Sequence, residues 1–221
     1  MNAFADLHTH TLLSDGCLVP AEQIRRAEVT GYSILGIADH ADLATMKDVI
    51  PVLLEAARRE NALGRMKVLA GVEATHVRPE HIAEFVQTAR QMGAHFVIVH
   101  GETIAEPVIA GTNRAAIEAG CDILAHPGLI SADDARLAAA KGVLLEISGK
   151  AGHCLGNGHV AATAARHGAG LIFGSDAHTP DQFYPAGKAR SVCLGAALSA
   201  SQVDEMFASA ARKALEWLGR S

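Results

Sequence analysis

Asp6-Leu7-His8-Thr9-His10-Thr11-Leu12-Leu13-Ser14-Asp15-Gly16 opens within a short apolar run, Ala3 to Leu7, and carries the chain out of it. In an extended chain alternate residues share a face, so His8 and His10 point the same way with Asp6 behind them. A strand that ends in ligand-type side chains gives a phase against which the rest of the sequence can be compared.

Working outward, the same rhythm returns along the chain. A helix is expected over Pro20 to Thr30, with proline suited to its first turn. Strands are expected at Ser33 to Ala38, Lys67 to Val72, His95 to Val99, Asp122 to Ala125, Val143 to Ile147 and Gly170 to Gly174. Between them lie helical patterns: Thr45 to Leu63, Pro79 to Met92, Asn113 to Ala119, Ala132 to Lys141 and Gly158 to Arg166. Gly93, Gly120 and Gly142 are natural stops for three of these helices. A last helix is read over Ser201 to Leu218, with Ser201 as its cap and Asp204 and Glu205 in its first turn. Strands alternating with helices imply parallel pairing through right-handed crossovers. Seven such units favour a closed or nearly closed barrel, with a doubly wound open sheet as the other arrangement. No linker or composition break interrupts residues 1–221, so one domain is expected.

The chemistry lies where these strands finish. Strand two runs out into Asp39-His40, strand three into Glu73, strand four into His100, strand five into His126-Pro127-Gly128 and strand seven into Asp176-Ala177-His178. Six of seven expected strands deliver a ligand-type residue at the carboxyl end, and Asp15 follows the first closely. In a parallel barrel those ends form the face where catalysis is found. The candidate metal set is His8, His10, Asp15, His40, Glu73, His100, His126, Asp176 and His178. Six imidazoles and three carboxylates exceed the four ligands of one tetrahedral ion and suit two or three ions sharing a carboxylate. Nitrogen and oxygen donors without sulfur favour zinc, manganese or iron. Such ions lower the pKa of water from 15.7 to about 7 and can hold both sides of an in-line displacement, so no serine or cysteine nucleophile is needed. Glu73, Asp176 and His178 are expected to serve catalysis most directly, and Asp6 to support a ligating imidazole.

Composition narrows the reading. The formal net charge is -5, which gives no general attraction to nucleic acid or to an anionic membrane. The four cysteines, Cys17, Cys121, Cys154 and Cys193, have neither knuckle nor redox spacing. Met1 to Asp6 lacks a signal-peptide pattern and no apolar run approaches a membrane span, so a cytoplasmic protein is expected.

Taken in order, these motifs resemble the PHP superfamily, the polymerase and histidinol phosphatase group. The resemblance is carried by D-L-H-T-H-T-L-L-S-D-G (Asp6 to Gly16), A-D-H (Ala38 to His40), G-V-E (Gly71 to Glu73), V-H-G-E (Val99 to Glu102), A-H-P-G (Ala125 to Gly128) and G-S-D-A-H (Gly174 to His178). It implies an α/β fold, a distorted (β/α)7 TIM-like barrel forming a single PHP domain, with up to three metals in its mouth. It assigns His8, His10, Glu73 and Asp176 to one ion, Glu73 as a bridge towards His100 and His126, and Asp15, His40 and His178 to the third. It is nearest to stand-alone members like the histidinol phosphatases, and so implies hydrolysis of a small phosphate monoester.

Other residues are weighed against plainer roles. His81, His95 and His167 fall inside helical or strand patterns and are read as packing or surface residues. His76 follows strand three, and Lys150, His153 and His159 sit in or beside the glycine-rich stretch Gly149 to Gly158. All four are candidate substrate contacts, since loops on that face bind ligands, with a solvated loop as the plainer reading. Asn113 and Arg114 serve either substrate or a helix start. Three competing functions share these features: a nuclease or nucleotide phosphatase, a non-catalytic metal-stabilised module, and amide hydrolysis in a related metal barrel. The last would place a lysine on the fourth strand, where His100 stands.

Overall fold

The computed structural model describes residues 4–220, so Ala3, where the first strand was expected to begin, lies outside them. In chain order the elements are β1 (Ala5–Asp6), α1 (Pro20–Thr30), β2 (Ile34–Ile37), β3 (His40–Ala41), α2 (Met46–Leu63), β4 (Lys67–Ala74), α3 (Pro79–Gln91), β5 (Phe96–His100), α4 (Thr112–Ala119), β6 (Ile123–Ala125), α5 (Ala132–Lys141), β7 (Leu144–Ser148), α6 (Asn157–His167), β8 (Leu171–Gly174), α7 (Ala186–Gly195) and α8 (Ala200–Leu218). Every pairing is parallel, and the strand order β1-β2-β4-β5-β6-β7-β8 has no reversal. A doubly wound sheet would reverse, so the open-sheet alternative falls. The ring closes at its carboxyl end, where Thr9 bridges Ala177. There Asp176 N donates to His8 O at 2.8 Å and His10 N to Ala177 O at 2.9 Å. The two histidine motifs therefore form the seam of the barrel.

Alternation along the strands decides what the barrel holds. On β4, Val68, Ala70, Val72 and Ala74 face the surrounding helices. Leu69 points inward, and Gly71 and Glu73 share its phase. On β5, Phe96 and Ile98 point inward beneath His100. Each column thus passes from hydrocarbon at the amino end to a ligand-type residue at the mouth. The amino end is closed by α8, whose Ala210, Ala211, Ala214 and Trp217 join the interior cluster. Trp217 stacks on Phe96 with ring centroids 5.8 Å apart.

Three local features depart from the expectations. The second strand ends at Ile37, and His40–Ala41 forms a separate short strand on β4. The cap of α8 is Ser199, whose hydroxyl accepts from Gln202 N while the Gln202 side chain accepts from Ser199 N. Ser201, the expected cap, lies within the first turn because the reciprocal capping box fixes the start earlier. Helix α7 was not expected. It buries only Ala189 and Cys193, too thin an apolar stripe for periodicity to reveal.

Gly71 and Gly36 make room for the Phe96 ring, which a Cβ at either position would overlap. Phe96 is fully buried and backed by Trp217, so it cannot retreat. Gly71→Ala is therefore expected to destabilise the fold by about 1–3 kcal/mol through overpacking. A lowered urea midpoint with an unchanged slope would show this, and an unshifted midpoint would refute the packing argument.

Candidate metal centre

All nine expected ligands meet at the barrel mouth. Glu73 stands at the middle, fully buried at the end of β4. Its Oε2 lies 2.8 Å from His40 Nδ1, 3.3 Å from His8 Nε2 and 3.6 Å from His10 Nε2, and its Oε1 lies 3.8 Å from His126 Nε2. Asp176 faces the same space, with Oδ1 3.2 Å from His10 Nε2. Asp15 lies outermost, 3.1 Å from His178 Nε2 and 3.4 Å from His40 Nε2. Three of the five ligand groups that result are His8, His10 and Glu73; His10, Asp15, His40 and His178; and His100, His126 and His153.

The backbone is bent to achieve this. Asp176 (φ 53°) and His126 (φ 28°) hold left-handed conformations that few non-glycine residues adopt. For His126 the twist turns a side chain that strand alternation would send outward. Such strain survives only where the surroundings over-determine it. Asp39, buried behind His40, anchors the loop that carries Asp15. It accepts from Thr11 N at 2.6 Å, Thr11 Oγ1 at 2.7 Å and Ser14 Oγ at 2.7 Å.

The donor chemistry fits divalent metals. His8 Nε2, both nitrogens of His10, both oxygens of Glu73, His126 Nδ1 and Asp176 Oδ1 are buried and make no hydrogen bond of acceptable geometry. Buried polar atoms are nearly always satisfied, so seven orphans in one place indicate that another partner belongs among them. Burial pushes His10 down to about 3 and holds His126 well below the ordinary imidazole range. Both imidazoles are thus neutral, the state a metal ligand requires.

Glu146 was not anticipated. It points inward from β7, fully buried, and its Oε2 accepts from His8 Nδ1 at 2.5 Å. Burial raises the Glu146 carboxyl; it opposes charge on His8 too, but Glu146, Glu73 and Asp176 together raise that imidazole well above its usual value. A charged residue within the apolar strand Val143 to Ile147 was the available signal. The strand that seemed to deliver no ligand supplies the carboxylate that orients one. Gly174 leaves space for the pair, since a Cβ there would fall within 2.8 Å of both side chains.

The expected substrate contacts divide. Lys150, His153 and His76 line a cavity of about 290 Å³ over the centre, together with Thr75 and Glu106. Lys150 Nζ lies 2.6 Å from His178 Nδ1 and 3.8 Å from Asp176 Oδ1. Arg114 and His159 stand apart, because they ride on helices of the outer layer. Arg114 pairs with Asp134 at 2.7 Å, and His159 Nε2 donates to Ile130 O at 2.8 Å. Asn113 braces the loop after β5, accepting from Glu102 N and donating to Pro127 O, both at 2.9 Å. His95 packs as expected, its Nδ1 accepting from Ala70 N at 2.9 Å.

The comparisons agree with this architecture. A protein of Methanocaldococcus jannaschii described as uncharacterized is 38% identical over 201 residues, covering 90% of this chain and 92% of its own. Among solved structures, an amidohydrolase superposes with a TM-score of 0.64 at 14% identity, over 99% of this chain and 75% of its own. An adenosine deaminase from Xanthomonas campestris with bound zinc superposes at 0.59 and 13% identity, over 98% of this chain and 67% of its own. At such identity these two likenesses concern the fold alone. The PHP domain matches residues 6–152, two thirds of the chain, and this establishes that the chain belongs to the PHP domain family.

Proposed function

We propose that this protein is a metal-dependent phosphoesterase acting on a small phosphate monoester, in the manner of the histidinol phosphatases. The observation that carries the reading is the convergence of three ligand groups on Glu73, with a lysine at the rim of the same cavity. Two or three zinc, manganese or iron ions there would lower the pKa of water and offset phosphate charge. Glu73 would bridge two of these ions, and Asp176 and His178 would complete their shells. Lys150 extends over Asp176 and His178, where its ammonium can pair with a phosphate oxygen. Glu146 fixes the ring plane and tautomer of His8, so that Nε2 is presented to the centre.

A small ester suits the dimensions, since about 290 Å³ is room for a phosphate and a short leaving group. The net charge of -5 disfavours a long polyanion beyond the mouth. No described helix is long and apolar enough to cross a membrane, and four unpaired cysteines accord with a reducing cytoplasm.

The direct test compares kcat/KM for histidinol phosphate, sugar phosphates, short oligonucleotides and acyl-amino-acid amides, with each candidate metal. Small phosphate esters are expected to lead. Faster turnover of oligonucleotides would favour a nuclease, and faster turnover of amides would remove the phosphoester assignment. Glu146→Gln is expected to weaken metal retention by about 10–100-fold while the chain stays folded. Unaltered metal affinity in that variant would show that Glu146 does not tune His8.

A further inference from the structure

The loop after β7 places one more imidazole in the centre than the nine residues require. His153 begins a short 3-10 turn, His153–Gly156, and is 8% exposed. Its ring stacks on His126 at 4.1 Å between centroids and 21° between planes, and meets His100 edge-on at 5.7 Å. Ligand atoms of His100, His126 and His153 all lie within 4.8 Å of one another. The loop is held, not draped. Asn157 donates to Ser148 O at 2.8 Å and accepts from Ser148 N at 3.0 Å, and Gly152 turns the chain at φ 89°.

Each ring is oriented by its other nitrogen. His153 Nδ1 bonds Thr103 Oγ1 at 2.8 Å, which leaves Nε2 directed inward, 3.9 Å from Asp176 Oδ2. His100 Nδ1 donates to Gly101 O at 3.1 Å, which likewise frees its Nε2. On the solvent side, Glu106 reaches back from the loop after β5. Its oxygens lie 3.1 Å from His100 Nε2, 3.2 Å from His76 Nε2 and 3.5 Å from His153 Nε2. Glu106 is 40% exposed, so it can swing away at little cost. Because His100 has a single free nitrogen, these donors surround one ion, not two.

We propose that His153 is a ligand of the ion between His100 and His126, and that Glu106 closes that ion's shell from solvent until a substrate anion displaces it. The proposal rests on the metal-dependent reading of the site but not on the phosphoester assignment. It moves His153 from substrate contact to metal ligand. Three imidazoles and the bridging Glu73 make four donors, the usual number for zinc, and Glu106 takes a further position that is open to an incoming anion.

The test titrates cobalt(II) into the metal-stripped full-length chain, read by visible absorption and calorimetry. Losing a partner outside the shell costs about 10–100-fold in affinity, so losing a ligand should reach at least the upper end. His153→Ala is expected to weaken one class of sites by about a hundredfold or more and to alter its absorption band; Arg114→Ala, on the outer helix layer away from the centre, should leave the isotherm unchanged. Thr103→Val, which keeps the ring but frees Nδ1, is expected to weaken the same class by about tenfold, and decides the matter if His153→Ala does not fold. An unchanged isotherm for His153→Ala, or for Thr103→Val in its place, would overturn the assignment and return His153 to the substrate. Inorganic phosphate is the probe for Glu106: it should bind several-fold tighter to metal-loaded Glu106→Gln, and unchanged or weaker binding would contradict displacement. None of these readouts depends on turnover, so a chain that fails to hydrolyse phosphate esters leaves this test intact.

Discussion

Glu73 is a fully buried carboxylate with four imidazoles around it and no hydrogen bond of acceptable geometry. An isolated buried charge costs several kcal/mol even after relaxation, and removing its partners from such a site costs about as much again. That burden falls on the end of an interior strand and is shared with Asp176 on β8's continuation and Glu146 on β7. Much of the upper barrel can be understood as the apparatus that makes three buried carboxylates tolerable. The imidazoles of His8 and His40, which burial discourages from charging but the surrounding carboxylates hold above their usual range, answer part of that charge, and divalent ions would answer the rest.

The same constraint explains the division of the barrel into two ends. Below, Phe96, Leu69 and Ile98 fill the interior and α8 seals it with Trp217, a rigid hydrocarbon floor. Above, the seam between β1 and β8 is made by the backbone of the histidine motifs themselves. Barrel closure and ligand placement are therefore one event: the hydrogen bonds that shut the ring set His8, His10 and Asp176 in register. A centre built on strand ends is held more firmly than one built on loops, which is what pre-organised catalysis asks of a scaffold. Loops carry the adaptable parts, Lys150, Glu106 and His76, around the rim.

How far the sequence discloses this depends on how each residue is held. The nine ligands were legible chiefly because a parallel barrel gathers its strand ends on one face; alternation supports His8, His10, Glu73 and His100, whereas His126 turns inward only through its φ of 28° and Asp15 comes from a loop. Glu146 escaped because it lies two residues before its strand ends, and its partner His8 is distant in sequence. Arg114 and His159 looked close to the mouth along the chain but belong to helices outside the barrel, where local partners hold them. Glu106 was hidden differently: the loop that carries it folds onto the loop of His153 through Thr103, which leaves no periodic trace. Helix α7 buries too little to announce itself, and the capping box at Ser199 and Gln202 overrode the plausible cap two residues on.

Elemental analysis of the purified chain tests most directly whether these side chains hold a multinuclear metal centre. The ligand count exceeds one ion's coordination, so more than one equivalent of transition metal per chain is expected, approaching two or three after reconstitution. At most one equivalent, even after reconstitution with zinc, manganese and iron in turn, would contradict it.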